Sequence, residues 1–204
     1  GNVFSLVNAL KFVGFSVHLI KSGDEISRAE NLVLPGVGAF ANCMDLLSNT
    51  GCLSPLVDHV NAGKKMLGIC VGMQILFEKG YEFGCHNGLG VICGDVKKIS
   101  QNSESDEDFL VPHIGWSPLK KCSGEHVPSS LKFFFTDLNP TSEYYFVHSF
   151  AVKSQYECNT FFFADYRGVK IPAVVGIENT VGLQFHPEKS GEAGLSFLEF
   201  WGRT

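Results

Sequence analysis

Gly68-Ile69-Cys70-Val71-Gly72, set between Met66-Leu67 and Met73-Gln74-Ile75-Leu76-Phe77, is the stretch from which the fold can be worked outward. An apolar run enters a cysteine bracketed by glycines and leaves as a helix-like segment, which reads as a strand, a sharp turn and a helix. Such an elbow pushes the central side chain out of the sheet. It needs small residues two positions either side so that strand and helix can pass closely, and Gly68 and Gly72 supply them. The positive end of the following helix favours thiolate over thiol, so Cys70 is a candidate nucleophile. Taken alone, the pentapeptide also fits a buried structural cysteine.

Upstream, Val3, Leu6, Val7 and Leu10 fall at helical spacing, so the chain opens on an amphipathic helix. Val17-His18-Leu19-Ile20 and Leu32-Val33-Leu34 read as strands. Helices are predicted near Phe40 to Leu47 and Leu53 to Asn61, a strand over Lys65 to Ile69, and a helix from Val71 to Lys79. This alternation implies a parallel sheet with helices on both faces, an α/β three-layer sandwich. The second half is richer in β, with strand-like Gly90-Val91-Ile92, Tyr144 to Val147, Thr160 to Phe163 and Ala173 to Ile177, and is expected to be partly antiparallel. Leu195 to Trp201 reads as a closing helix.

Near the end, Gly182-Leu183-Gln184-Phe185 reads as a short strand running into His186-Pro187-Glu188. His186 can take a thiol proton, and a carboxylate two residues on can hold the imidazole tautomer. In isolation the tripeptide also suits a turn with a surface charge; paired with the cysteine elbow it supplies base and orienter at a strand end. Leu32 to Phe40 ends a buried strand in the loop Pro35-Gly36-Val37-Gly38. Its glycines let backbone approach a ligand, so Val37 and Val71 N–H groups are candidates for an oxyanion hole; a plain turn is the alternative.

The chain has 204 residues, 45% of them apolar, enough for one substantial core, so a single domain over 1–204 is the default. A net charge of −5 and no Lys/Arg-rich run argue against nucleic acid or an anionic membrane as partner. No apolar stretch approaches the roughly 18 residues of a membrane span, and no signal peptide opens the chain. Seven cysteines without CxxC spacing fit a reducing cytoplasm better than a disulfide framework; apart from Cys70, most are expected to be small buried hydrophobes. His18, His59, His86, His113, His126 and His148 lie at no metal spacing, so no metal and no cofactor is expected. Gln101 to Asp108 is read as a solvated acidic loop.

The motifs Pro35-Gly36-Val37-Gly38, Gly68 to Gln74 and His186-Pro187-Glu188-Lys189-Ser190-Gly191 resemble those of class I glutamine amidotransferases. Pro112-His113-Ile114-Gly115-Trp116 and Tyr144 to Ser149 are similar, more narrowly, to the glutaminase subunits of histidine biosynthesis. The resemblance runs through essentially the whole chain. It implies a flavodoxin-like sandwich with a mostly parallel central sheet, and Cys70, His186 and Glu188 as a catalytic triad. It also implies glutamine binding by Gly36, Gln74, Glu82, Ser149 and Phe150, although Gln74 and Glu82 also suit exposed helix positions. Ammonia would pass to a cyclase subunit with a (β/α)8 barrel, there converting PRFAR to imidazole glycerol phosphate and AICAR. Asn2, Trp116, Tyr145 and Lys189 would meet that partner, and His148 would lie beside the site. The chain departs from the family at Val71, where Leu is common, at Ser117, where Asn is usual, and at Phe150, where Tyr is usual. In the family an apolar strand ends in Gly-x-Gly-Asn ahead of the first helix; only Gly1-Asn2 stands here, so the native first strand is expected to be absent. A paralogous glutaminase of surface-sugar biosynthesis, a stand-alone γ-glutamyl hydrolase and a non-enzymatic binding module remain as alternatives.

Overall fold

The structure is a computed structural model, and it describes residues 3–36, 38–100, 110–122, 141–156 and 159–203. The chain runs α1 (Val3–Phe12), α2 (Gly23–Arg28), β1 (Asn31–Pro35), α3 (Phe40–Asn49), α4 (Leu53–Asn61), β2 (Lys65–Ile69), α5 (Val71–Gln74), β3 (Phe77–Gly80) and β4 (His86–Asn87). It continues through β5 (Ile92–Lys98), β6 (His113–Pro118), β7 (Lys120–Lys121), β8 (Glu143–His148), β9 (Phe150–Ser154), β10 (Thr160–Tyr166), β11 (Val169–Ile177), β12 (Thr180–Leu183) and α6 (Gly191–Arg203).

The main sheet has six strands in the order β1-β2-β12-β11-β10-β7. The pairs β1–β2 and β2–β12 are parallel, and the remaining pairs are antiparallel. The sheet is therefore mixed rather than mostly parallel. In this sheet β1 reaches β2 through the helices α3 and α4, whereas β10 to β12 follow one another through short turns that permit only antiparallel return. Smaller sheets, β4-β3-β5-β9 and β6-β8, complete the described β structure.

Side chains alternate across β2. Leu67 and Ile69 join one core cluster with Leu6 and Leu10 of α1 and Phe197, Leu198 and Trp201 of α6; Met66 joins another with Ile26, Phe40 and Leu56. Two helical layers thus cover opposite faces of the sheet, which explains why β2 reads as an unbroken apolar run. Cys70 stands where β2 leaves between these two cores.

Two sequence expectations fail here for physical reasons. Val17 to Ile20 forms no strand: among the described residues β1 pairs with β2 alone, and none takes up the backbone groups of 17–20. Helix α5 stops after one turn instead of reaching Lys79. The carbonyls of Ile75, Leu76 and Phe77, which would continue the helix, accept N–H groups from Leu89, Gly90, Val91 and Ile92 instead. Phe77 to Gly80 is then free to pair with β4 and β5. The predicted strand at Gly90-Val91-Ile92 accordingly begins only at Ile92.

Among the described cysteines other than Cys70, only Cys43 and Cys52 are buried, Cys85 is exposed, and Cys93 and Cys122 are half-buried, fewer buried than expected. The acidic loop Gln101 to Asp108, His126 and Cys158 lie outside the described residues. No described helix is long and apolar enough to cross a membrane.

Candidate active site

Cys70 occupies the elbow with φ +54° and ψ −114°, a conformation that L-residues rarely adopt and that costs on the order of 1–3 kcal/mol. The surroundings hold it there. Its N–H donates to the Leu183 carbonyl at 2.7 Å, and its own carbonyl accepts from Met73 and Gln74 at 3.0 and 3.1 Å. Glycine is required on both sides by close approach. A Cβ on Gly72 would lie 2.0 Å from the Leu34 carbonyl oxygen, and one on Gly68 2.6 Å from the Gly72 carbonyl oxygen. Because α5 is a single turn, it presents first-turn N–H groups but little macrodipole. The stronger electrostatic influence on Cys70 comes from the side chains around it.

The chief partner is His186, which follows β12 and is 3% exposed. Its Nδ1 bonds Glu188 Oε1 at 2.8 Å. Burial pulls the imidazolium down, but the hydrogen bonds to Cys70 and Glu188 and the charges of both outweigh it, raising His186 from 6.5 to about 9. Glu188 Oε2 is buried with no hydrogen-bond partner among the described residues, so the imidazolium is the main compensation for that carboxylate. Cys70, His186 and Glu188 form a row with the imidazolium at its centre.

A turn made by Ser190 fixes this row to β8. Ser190, 2% exposed, donates to the His186 carbonyl at 2.6 Å and accepts from the Tyr145 N–H at 3.0 Å. The His186 N–H in turn donates to the Tyr145 carbonyl at 2.9 Å.

Gly36 packs its α-carbon on the elbow: a Cβ there would come 2.2 Å from Val71 N and 2.7 Å from Gly72 N. The Val71 N–H makes no hydrogen bond among the described residues and is available as a donor beside the sulfur. Its expected oxyanion partner, Val37, lies outside the described residues, as does Asn2. Gly38 has φ +89°, which suits glycine.

Of the expected glutamine contacts, Gln74 is 3% exposed, not a surface helix residue. Its Nε2 donates to the Phe150 carbonyl at 3.0 Å and to Gln184 Oε1 at 3.1 Å. Both amide hydrogens are thus engaged, leaving Oε1 as the group a ligand can use. Glu82 lies in the turn after β3, and its carboxylate accepts the Phe40 N–H at 2.8 Å at the start of α3. It has an anchoring role at the end of the glycine loop. Ser149 lies between β8 and β9, its carbonyl accepting from Ile99.

Trp116 and Tyr145 face each other across the β6–β8 ladder with ring centroids 5.9 Å apart, and Lys189 Nζ lies 5.5 Å over the Tyr145 ring. Trp116 is 51% exposed and the neighbouring Ile114 58%. These three residues, far apart in sequence, make one outward-facing patch.

Three features escaped the sequence reading: Ser190 as a staple, Gln184 beside the sulfur, and a histidine pair. His113 Nδ1 and His148 Nε2 are 3.1 Å apart, His113 Nε2 is 3.1 Å from Ser117 Oγ, and His148 Nδ1 is 2.8 Å from the Phe150 carbonyl. Burial drives His113 down to about 4 and His148 down to about 3, so both are neutral at ordinary pH. The only local signal for Gln184 was a polar residue interrupting the buried run from Thr180 to Phe185. Among the described residues no group of His, Cys, Asp and Glu is placed to hold a metal.

With its elbow cysteine, ion-paired histidine and mixed α/β sheet, the chain belongs to the class-I glutamine amidotransferase family, whose profile matches residues 1–201. Within that family it falls among the HisH subunits. It is 39% identical over 200 residues to imidazole glycerol phosphate synthase subunit HisH 1 of Legionella pneumophila (strain Lens), a match spanning 98% of this chain and 92% of that protein. It is also 39% identical over 206 residues to imidazole glycerol phosphate synthase hisHF of Emericella nidulans, covering 97% of this chain and 35% of that longer one. In fold it is similar to the structure of PurLQS from Thermotoga maritima, with a TM-score of 0.73 at 19% identity over 98% of this chain and 91% of that one.

Proposed function

We propose that this chain is the glutaminase subunit of imidazole glycerol phosphate synthase, and that it hydrolyses L-glutamine and hands the ammonia to a cyclase subunit of (β/α)8 form. The observation that carries the chemistry is the row Cys70–His186–Glu188, with the Nδ1–Oε1 bond at 2.8 Å and the sulfur on a strained elbow. The Cys70 thiolate attacks the side-chain amide carbon, and the oxyanion is received by the N–H groups of Val71 and Val37. The His186 imidazolium gives its proton to the departing nitrogen, which leaves as ammonia. Neutral His186 then takes a proton from water, whose oxygen attacks the thioester; the thiolate departs and glutamate is released.

The substrate's ammonium group is met by acceptors, Gln74 Oε1 and the Glu82 carboxylate. Because Gln74 has no amide hydrogen to spare, the substrate carboxylate is held by backbone N–H groups rather than by Gln74. Gly36, Ser149 and Phe150 line the same site. Trp116, Tyr145 and Lys189, with Asn2, form the docking face for the cyclase, and the fused hisHF relative supports a partner of that kind. Ammonia crosses there to react with PRFAR, giving imidazole glycerol phosphate and AICAR.

Glutamate release by the isolated chain, with cyclase, and with cyclase and PRFAR together tests this. Turnover should rise on the order of 10²-fold or more from the first condition to the last, the worth of one missing oxyanion donor. Activity indifferent to cyclase and acceptor would instead identify a stand-alone hydrolase.

A further inference from the structure

We propose that Gln184 is a catalytic contact of the cysteine, a fixed amide donor to Cys70 Sγ whose orientation is locked from the Phe150 carbonyl through Gln74. The proposal rests on the reading of Cys70 as nucleophile. Gln184 Nε2 lies 3.9 Å from Cys70 Sγ, and Gln184 is fully buried.

The polarity follows from one group that can only accept. The Phe150 carbonyl oxygen faces Gln74, so the end of Gln74 pointing at it must be the NH₂. The second hydrogen of that NH₂ meets Gln184, so the facing atom of Gln184 must be its oxygen. The opposite end of the same amide, the NH₂, is then turned to the sulfur. Turning Gln184 over would set two NH₂ groups against each other and leave buried donors unpaired, which costs about 1–3 kcal/mol. The same carbonyl also accepts from His148 Nδ1, which orders the other arm. His148 Nε2 must accept from His113 Nδ1, and His113 Nε2 from the Ser117 hydroxyl.

A donor that cannot rotate away stabilises negative charge on sulfur in the resting enzyme and again when the thiolate leaves the thioester. His186 gives up its proton during the reaction. Gln184 does not, so it remains the constant donor to the sulfur throughout turnover.

The test is alkylation of Cys70 by iodoacetamide in the isolated chain, followed across pH by mass spectrometry of the Cys70 peptide. In Gln184→Met the rate at neutral pH should fall about tenfold and the midpoint of the pH–rate profile should rise by about one unit, the worth of one hydrogen bond to a charged group. Gln184→Glu should raise the midpoint further, because a carboxylate opposes the thiolate. Gln74→Met, which unlocks Gln184, should shift it in the same direction by less. A role in packing alone would lower the unfolding temperature and leave the midpoint in place. An unchanged midpoint in folded Gln184→Met and Gln184→Glu overturns the proposal while leaving Cys70 as nucleophile. Should those variants not fold, the side-chain amide resonances of Gln184 in the unaltered protein decide: they should move when Cys70 is alkylated, and silence overturns the proposal. If Cys70 of the unaltered protein reacts no faster than exposed Cys85, the nucleophile reading fails and this proposal with it.

Discussion

Replacing Glu188 by Gln should leave the shape of the site intact and remove the charge that holds His186 protonated. The raised value of about 9 against the ordinary 6.5 is the net of burial, which opposes the charged ring, and of bonds and charges from Cys70 and Glu188, which favour it. At about 1.4 kcal/mol per unit, that net is on the order of 3 kcal/mol, and the side chains of His186 and Glu188 are only 4% and 3% exposed, so solvent screens little of it. Without the carboxylate, burial regains ground and the imidazolium should titrate well below 9, toward the ordinary range. In the parent, kcat/KM should fall as pH rises through about 9, where the proton for the departing ammonia is lost. In Glu188→Gln that alkaline limb should move to lower pH, and turnover at neutral pH should drop on the order of 10²-fold or more. The sign for stability runs the same way. The folded state binds the extra proton between 6.5 and about 9, so this stabilisation is complete below 6.5 and lost as pH rises through about 9. The assays are glutamate release against pH with saturating partner, and urea unfolding of the isolated chain at matched pH values. An alkaline limb at the same pH in both proteins would refute the reasoning.

Cys70→Ala should abolish glutamate release, and adding His186→Ala to it should cost almost nothing more, because the members of a triad act as one unit; steady-state kinetics of the single and double variants check this. Gly36→Ala should lower kcat by at least 10²-fold with a smaller effect on folding, since its methyl group would collide with the Val71 N–H that serves the oxyanion; comparing kcat with the unfolding midpoint separates the two effects. Acidification should destabilise the fold through His113 and His148, whose folded values of about 4 and about 3 lie below 6.5: their contribution is whole above 6.5 and is lost as pH falls toward those values. This is worth on the order of 3 kcal/mol for each ring, and should be halved in His113→Asn, as denaturant titrations at pH 7 and pH 4.5 would show. Trp116→Ala should weaken binding of the cyclase by about 2 kcal/mol, roughly thirty-fold in Kd, whereas Lys189→Ala should chiefly loosen the response of glutaminase rate to acceptor; calorimetric titration beside coupled assays measures both.

Local pattern was enough where an element is bounded by its own residues. Leu53 to Asn61 and Lys65 to Ile69 match α4 and β2 at both ends, because an amphipathic period is cut off by Gly63 and a buried run by the elbow glycines. It failed where distant backbone decides. Ile75 to Lys79 has helical composition, yet residues 89–92 capture its carbonyls; Val17 to Ile20 has strand composition, yet none of the described residues pairs with it. In the candidate site, His186 and Glu188 meet at 2.8 Å because one short turn carries both. The network around Phe150 was not legible. His113 and His148 are 35 positions apart and meet only through the β6–β8 register, and Gln74 and Gln184 are 110 apart.

That network and the Trp116–Tyr145–Lys189 patch share β8. On its outward side Tyr145 packs against Trp116 and under Lys189; through its own backbone it holds the His186 N–H and the Ser190 hydroxyl. Three residues further along, on the inward side, His148 closes the chain of bonds that ends at Phe150, Gln74, Gln184 and the sulfur. A partner that presses on the Trp116–Tyr145 pair therefore acts on a strand with two rigid connections to the reacting atoms, one to the base and one to the nucleophile. Tyr145→Phe, which has no side-chain hydrogen bond among the described residues to lose, should keep the His186 geometry and basal rate. Tyr145→Pro, which deletes the N–H that Ser190 accepts, should disable the base even in the absence of any partner. Equal basal rates in a folded Tyr145→Pro variant and the parent would show that β8 does not hold the base.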